Sequence, residues 1–169
     1  LVEKADVVLE TFRPKVTKEL KIDYETLFKI NKSIIYCSLT GYGQYGPYEQ
    51  TASHDLNYIG ICGMLDLNKE REFLGKKNQE RKPLLPGVQA ADIGGGLVST
   101  ISILGALLER DKNPTKEGQY IDISMTDCVF SFMPMAAAFH FSKSLNDGTT
   151  KPINPLHGEV PVYSIYKTK

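Results

Sequence analysis

The sequence predicts an α/β fold built on a parallel sheet, and three observations carry that prediction. The β-branched runs Val7-Val8-Leu9 and "SIIYCSLT" (33–40) flank a helical pattern, as in a βαβ unit. A third run, "GQYIDISM" (118–125), follows a long helical period, so strand and helix keep alternating. The chain has 169 residues, 41% of them hydrophobic and 24% charged, which suits one globular core rather than a disordered segment.

Each element follows from its residues. Val7-Val8-Leu9 is a short buried strand ending at "ETFRP", where Pro14 fixes the backbone and permits a helix to begin. Asp23 is placed to cap "YETLFKIN", whose Leu27 and Ile30 share a helical face, and "SIIYCSLT" follows as a β-branched run of parallel-sheet character. Gly41, Gly43, Gly46 and Pro47 punctuate a loop before a helix expected from about His54 to Leu65. Residues Asp66 to Lys82 are charged and aperiodic, so they are expected to form a solvated loop. "LLPGVQ" then reads as a turn and an extended piece before a long helix in which Leu97, Ile101, Leu104 and Leu108 share a face. In "GQYIDISM", Tyr120, Asp122 and Ser124 alternate as on a strand, and Thr126 is expected to cap a helix that Pro134 must bend or interrupt. A loop over 145–159 and a final strand, "VPVYSIYKTK", close the chain. The first residues lack an initiator Met and a signal-peptide pattern, and the last strand stops without a cap, so the chain is read as a fragment of a longer protein.

Charge and cysteine content narrow the function. Twenty basic residues balance twenty acidic ones, so no global field favours nucleic acid or an anionic membrane. Cys37, Cys62 and Cys128 are odd in number, widely spaced and set in apolar segments, which points to reduced thiols in a cytoplasmic protein and to no zinc site. The most apolar run, Ile93 to Leu108, is expected to be too short and too mixed to span a bilayer.

Three constellations could carry chemistry. "TGYGQYGP" has the backbone freedom to approach a ligand but lacks both GxGxxG and the Walker lysine, so it reads first as a turn. In "ADIGGGL", Asp92 precedes three glycines opening a helix. The acid can serve as a cap, but capping does not require Gly94, Gly95 and Gly96, each about 1 kcal/mol worse than Ala in a helix, so something must approach that backbone closely: a packed neighbour or a ligand. In "SHDLNY", His54 and Asp55 open an apolar helix; they are a cap and a dipole partner, or His54 converges with Asp92 on one pocket. His140 and His157 have no neighbouring acid or nucleophile pattern and read as structural, and Tyr42, Tyr45 and Tyr48 read as packing residues.

The ordered set "ADVVLETFRP", "IIYCSLTGYGQYGPY", "SHDLNY", "LPGVQAADIGGG", "SILGALLERDKNPTKEGQYIDISMTD" and "GEVPVYSIYKTK" resembles the family III CoA-transferase (CaiB/BaiF) group, which also contains α-methylacyl-CoA racemase. The resemblance covers nearly the whole chain. It implies a Rossmann-like large domain of which residues 1–169 are the central part, running to the start of the linker to a small domain, and an interlocked homodimer acting on acyl-CoA, with coenzyme A entering as part of the substrate and no prosthetic group. Asp92 matches the acid that is a nucleophile in the transferases and a proton-transfer group in the racemases. His54 stands where typical transferases carry Tyr before the Asp and racemases carry His, so the racemase branch is the sharper match. Thr11, Phe12 and Arg13 resemble the CoA-contacting segment, and Ser53, Asp55, Leu56, Asn57 and Tyr58, around His54, the segment beside the thioester. One departure concerns a family Arg that helps hold a CoA phosphate: Glu19 stands there, leaving Lys15 or Lys18 to replace its charge as point charges.

The resemblance therefore implies racemisation of a 2-methylacyl-CoA by His54 and Asp92, with backbone N–H groups near Asp92 and its glycines as the expected oxyanion site. Its alternatives are CoA transfer through a covalent Asp92 intermediate and a non-catalytic CoA-binding subunit. The chain made alone is expected to show little or no turnover, with low solubility from an uncovered sheet edge; full turnover by a monodisperse monomer would contradict this.

Overall fold

The computed structural model describes residues 1–67, 82–142, 156 and 161–168. Strands β1 (Val7–Glu10), β2 (Ile35–Thr40) and β3 (Tyr120–Ser124) form one parallel sheet in the order β1-β2-β3. All six residues of the central β2 are buried, as suits a parallel strand covered on both faces, with Ser38 and Thr40 among them. Cys37 lies beside Leu9 on one side and Ile121 on the other, so the three strands present matching faces.

Those faces differ in chemistry because side chains alternate along a strand. On one, Tyr36 and Tyr120 stand 5.8 Å apart, centroid to centroid, with Tyr24 against both at 6.0 and 5.4 Å. Burial pushes the Tyr36 phenol up to about 12, and its hydroxyl donates to the Ile22 carbonyl at 2.9 Å. On the other face, Cys37, Leu39, Ile123 and Cys128 form an apolar cluster with Val98 and Ile103. The three thiols are free, and burial raises the pKa of each.

Between β1 and β2 run α1 (Val16–Glu19) and α2 (Tyr24–Ile30). Asp23 caps α2 as expected: its Oδ1 accepts the Thr26 N–H at 3.1 Å, and the Thr26 hydroxyl donates to Oδ2 at 2.7 Å. Leu27 is buried while Ile30 is exposed, so only the first of that pair reaches the core.

The helix expected over His54–Leu65 is two: α3 (Asp55–Ile61) and α4 (Met64–Leu67). Gly63, at φ 88°, holds the left-handed conformation that ends the first. After β3, α6 (Met125–Ser131) and α7 (Pro134–Ser142) are interrupted at Pro134 as predicted, but the cap of α6 is Ser124, whose Oγ accepts the Asp127 N–H at 3.2 Å. Thr126, expected in that role, sits inside the first turn and donates its hydroxyl to the Gly41 carbonyl at 2.8 Å. Residues 161–168 form a turn, a bend and irregular chain in place of the expected final strand. A strand needs a partner ladder, and the described sheet ends at β1 and β3. The expected loops over 66–82 and 145–159, with His157, lie almost wholly outside the described residues.

Helix α5 (Ala90–Lys112) carries the chain from the end of β2 back to the start of β3. Its buried positions are small: Ala91, Gly94, Gly95, Ser99 and Ala106. Leu97, Ile101, Leu104 and Leu108 do share a face, but each is more than half exposed, because the glycines bring the opposite face onto the core. A Cβ on Gly94 would come within 2.6 Å of the Phe132 ring, and one on Gly95 within 2.9 Å of Leu39 and Met125 side chains. The close neighbour expected at the glycines is thus packed protein at Gly94 and Gly95, while Gly96 has none. At 23 residues α5 exceeds the apolar run 93–108, and by length and composition alone it could cross a bilayer, contrary to the expectation of too short a segment; here its small face packs on β2, β3 and α6.

A methyl group added at Gly96 would have nothing within 4 Å, so Gly96→Ala is expected to stabilise by up to about 1 kcal/mol through helix propensity. Gly94→Ala gains the same propensity but overpacks against Phe132 at about 1–3 kcal/mol, a net loss. Urea midpoints moving the same way for both variants would contradict this packing.

Candidate active site

Parallel strands end on one side of a sheet, and the segments leaving them gather there, which is where α/β proteins place ligand sites. Three such segments meet here. Thr11, Phe12 and Arg13 leave β1, all exposed, with the Phe12 N–H donating to Glu10 Oε2 at 2.8 Å. The glycine-rich loop over 41–53 leaves β2, and α6 leaves β3.

Side chains tie these segments together. The Gln50 amide donates to the Pro14 carbonyl at 3.1 Å, and Lys15 Nζ pairs with Glu49 at 2.8 Å, an ammonium that holds the Glu49 carboxyl below its usual range. The Thr126 N–H and hydroxyl both donate to the Gly41 carbonyl, fastening α6 to the loop. The Lys15 charge is therefore engaged, whereas Lys18 is exposed and has no ion pair among the described residues; Glu19 is also exposed. Of the two lysines proposed to replace the missing Arg, Lys18 is the more available.

The "SHDLNY" segment divides into holding and presenting residues. Tyr58 is buried with Ile59, Ala91 and Val129, its ring standing edge-on to Tyr42 at 5.1 Å and filling the space a side chain on Gly41 would need. The Tyr58 hydroxyl donates to the Ser53 carbonyl at 2.9 Å, and the Tyr42 hydroxyl donates to Ser53 Oγ at 2.9 Å. Ser53 and Tyr58 thus brace the entry to α3. His54 is the N-cap residue of α3 and is exposed; its N–H donates to Asn57 Oδ1 at 3.1 Å, while Leu56 and Asn57 face outward.

Asp55 has a role that the sequence does not announce. Its Oδ1 accepts the backbone N–H of Ala91 at 2.6 Å and that of Asp92 at 3.2 Å, so a carboxylate from α3 caps the start of α5. Asp92 itself is inside the first turn of α5, not its cap. The amides of Ala91 and Asp92 already donate to Asp55, and that of Ile93 to the Gln89 carbonyl at 3.0 Å, so the expected oxyanion site cannot be built from them.

His54 and Asp92 are brought together at the adjoining starts of α3 and α5. The Asp92 carboxyl is solvent-accessible, yet partial desolvation raises its pKa, and the neighbouring Asp55 charge raises it further. His54 is near enough that a proton on its imidazole would oppose both effects. A carboxyl whose proton affinity is raised by desolvation and a neighbouring charge, beside an imidazole, supplies the two kinds of group that proton transfer at a carbon acid requires.

A second acid, Asp122, is not among the candidates that sequence reasoning singles out. Its Oδ2 accepts the Gln44 N–H at 3.1 Å and burial raises its pKa, while the buried Oδ1 has no partner among the described residues. The only signal in the sequence is an acid alternating with isoleucines. It shares a sheet face with Tyr36, Ser38 and Tyr120, which with Lys15, Lys18 and Gln44 line a cleft of about 250 Å³ on the face away from α5.

A raised folded pKa means that ionising Asp92 is harder in the folded chain, so its contribution to stability is intact below the ordinary carboxyl range and is lost as pH rises through the raised value. Asp92→Asn is expected to melt slightly higher than the parent at pH 7, by under about 2 °C since the group is exposed, with the gain vanishing below the ordinary value of 3.8. A lower melting point at pH 7 would contradict this electrostatic reading.

Known proteins resemble the chain in sequence and in fold. The chain is 35% identical to α-methylacyl-CoA racemase of Mus musculus, over 98% of the chain and 40% of that protein. It is 36% identical to succinate–glutarate CoA-transferase of Agrobacterium fabrum, over 75% of the chain and 29% of that protein. Among solved structures, a CaiB/BaiF family protein from Brucella suis superposes with a TM-score of 0.72 at 34% identity, covering 94% of this chain and 39% of that one. The chain thus spans less than half the length of these relatives. The model of CoA-transferase family III matches residues 1–169, and the fold superposes on that of a family member: this chain belongs to CoA-transferase family III.

Proposed function

We propose that this chain is the part of an acyl-CoA racemase that handles the reacting carbon, interconverting epimers of 2-methylacyl-CoA thioesters by proton transfer between His54 and Asp92. The observation that carries the reading is the meeting of an imidazole and a carboxyl with raised proton affinity at the adjoining starts of α3 and α5. Neutral His54 takes the α-proton of one epimer, leaving an enolate and an imidazolium. Protonated Asp92 returns a proton to the α-carbon and becomes a carboxylate, and the opposite epimer reacts with the roles reversed. Such paired acid–base work contributes on the order of 10²–10⁴ in rate.

Coenzyme A is part of the substrate, and its remote contacts supply the binding energy that holds the acyl carbon in place. Thr11, Phe12 and Arg13 are the proposed contacts for it, with Lys18 supplying charge near the phosphates. An interlocked homodimer is the proposed assembly, and the exposed apolar row of α5 is consistent with a surface that a longer chain covers. The acyl group is proposed to be branched and apolar, since no second cationic pair stands near His54 or Asp92 among the described residues.

The test uses the protein at the full length of its relatives, given a 2-methylacyl-CoA in deuterated water. His54→Gln and Asp92→Asn are each expected to stop racemisation, while each spares part of the exchange from one epimer, a different one in the two variants. Rapid acyl transfer between CoA and a carboxylic acid with no α-deuterium, abolished by Asp92→Asn and only weakened by His54→Gln, would replace this reading with transfer through a covalent Asp92.

A further inference from the structure

The start of α5 has no cap of its own. Gln89 occupies the N-cap position without a side-chain bond to the helix, and Gln is not a residue that suits it. The acceptor comes instead from another helix, through the Asp55 carboxylate on Ala91 and Asp92. Behind that contact, Ala91, Ile59 and Val129 are almost fully buried and pack with Tyr58, so the two helix starts cannot slide past one another without opening the core.

Residue order makes the contact more than a cap. His54 is covalently adjacent to Asp55, and the backbone of Asp92 is hydrogen-bonded to it. A cap supplied by residue 89 would satisfy the same N–H groups but would leave α5 without reference to α3. We propose that Asp55 is the positioning residue of this site: its carboxylate, reaching from α3 to the first turn of α5, sets where Asp92 stands relative to His54. The proposal rests on the proton-transfer reading of those two residues. It gives Asp55 work besides the thioester contact that the family resemblance implied.

The groups facing Asp92 in the described structure are few. From α3 come the Asp55 carboxylate, His54 and, more weakly, the Tyr58 hydroxyl; the neighbours of the next helical turn, Phe132 and Leu39, are apolar. Removing the Asp55 charge while keeping its oxygen should therefore move the Asp92 titration downward and leave the helix start in place.

Three variants of the full-length form, assayed for α-proton exchange with a 2-methylacyl-CoA, test this. Asp55→Ala removes the acceptor, and a fall in kcat of at least about tenfold with little change in KM is expected, together with a lower melting temperature. Adding Gln89→Ser to Asp55→Ala restores a local cap on the same N–H groups, so the melting temperature should recover while kcat stays low. Asp55→Asn keeps one acceptor oxygen, so it should hold its melting temperature, keep kcat within several-fold of the parent, and show the Asp92 carboxyl titrating at lower pH by carbon NMR. Recovery of parental kcat in the Asp55→Ala, Gln89→Ser double variant would overturn the proposal and leave Asp55 a structural cap, as would parental kcat in Asp55→Ala alone. If the parent transfers CoA without exchanging the α-proton, the racemase reading falls separately. The same variants are then scored on transfer, where positioning of Asp92 predicts the same order and a merely structural cap predicts rescue by the Gln89→Ser substitution.

Discussion

One carboxylate oxygen joins the two helices on which the site depends. Asp55 Oδ1 takes the N–H groups of both Ala91 and Asp92, and the groups that neighbour it in the chain and in space are His54 and Asp92. Capping groups elsewhere in the fold act locally: Asp23 caps α2 and Ser124 caps α6, each within its own turn. At α5, by contrast, the acceptor comes from a distant segment. Such a bond couples the folding of the site to the packing of the core, since Ala91 lies in the cluster with Tyr58, Ile59 and Val129.

The geometry around that bond follows from how α5 meets the sheet. A long helix normally buries its large apolar residues, but here the fully buried positions are glycine, alanine and serine, and Leu97, Ile101, Leu104 and Leu108 face outward. Gly94 and Gly95 allow contact with Phe132, Met125 and Leu39 at distances a methyl group would forbid, so the first turns of α5 sit unusually close to α6 and β2. At the same end the Asp55 carboxylate ties Asp92 to α3. The same loops are held from the other side by Lys15 with Glu49, by Gln50 with Pro14, and by Thr126 with Gly41, so the strand ends form a braced surface rather than independent loops.

Much of the fold is legible in the residues themselves. The β-branched runs, the Asp23 cap and the interruption at Pro134 are visible because each depends on local chemistry. What is not legible depends on contacts between distant segments. Periodicity locates the leucine row of α5 but cannot tell which face the sheet will take, because the deciding quantity is how closely Gly94 and Gly95 let neighbours approach. The alternating "VPVYSIYKTK" has strand character but is not in the described sheet, since alternation says nothing about a partner. At the site, His54 and Asp92 stand out as helix-start residues whose convergence spacing alone cannot establish, and the family resemblance supplies the reason to pair them. Local chemistry makes Asp55 a dipole partner of its own helix; that it caps another depends on a separation of 36 residues that no local pattern encodes.

The central claim is that a single side chain from α3 holds the start of α5. Amide hydrogen exchange at Ala91 and Asp92 in the full-length form measures it directly, because a first-turn N–H has no partner within its own helix and is protected only by a cap. The structure predicts slow exchange at both amides in the parent and in Asp55→Asn, and fast exchange at both in Asp55→Ala with the rest of α5 still protected. Fast exchange at Ala91 and Asp92 in the parent, or unchanged protection in Asp55→Ala, would contradict it.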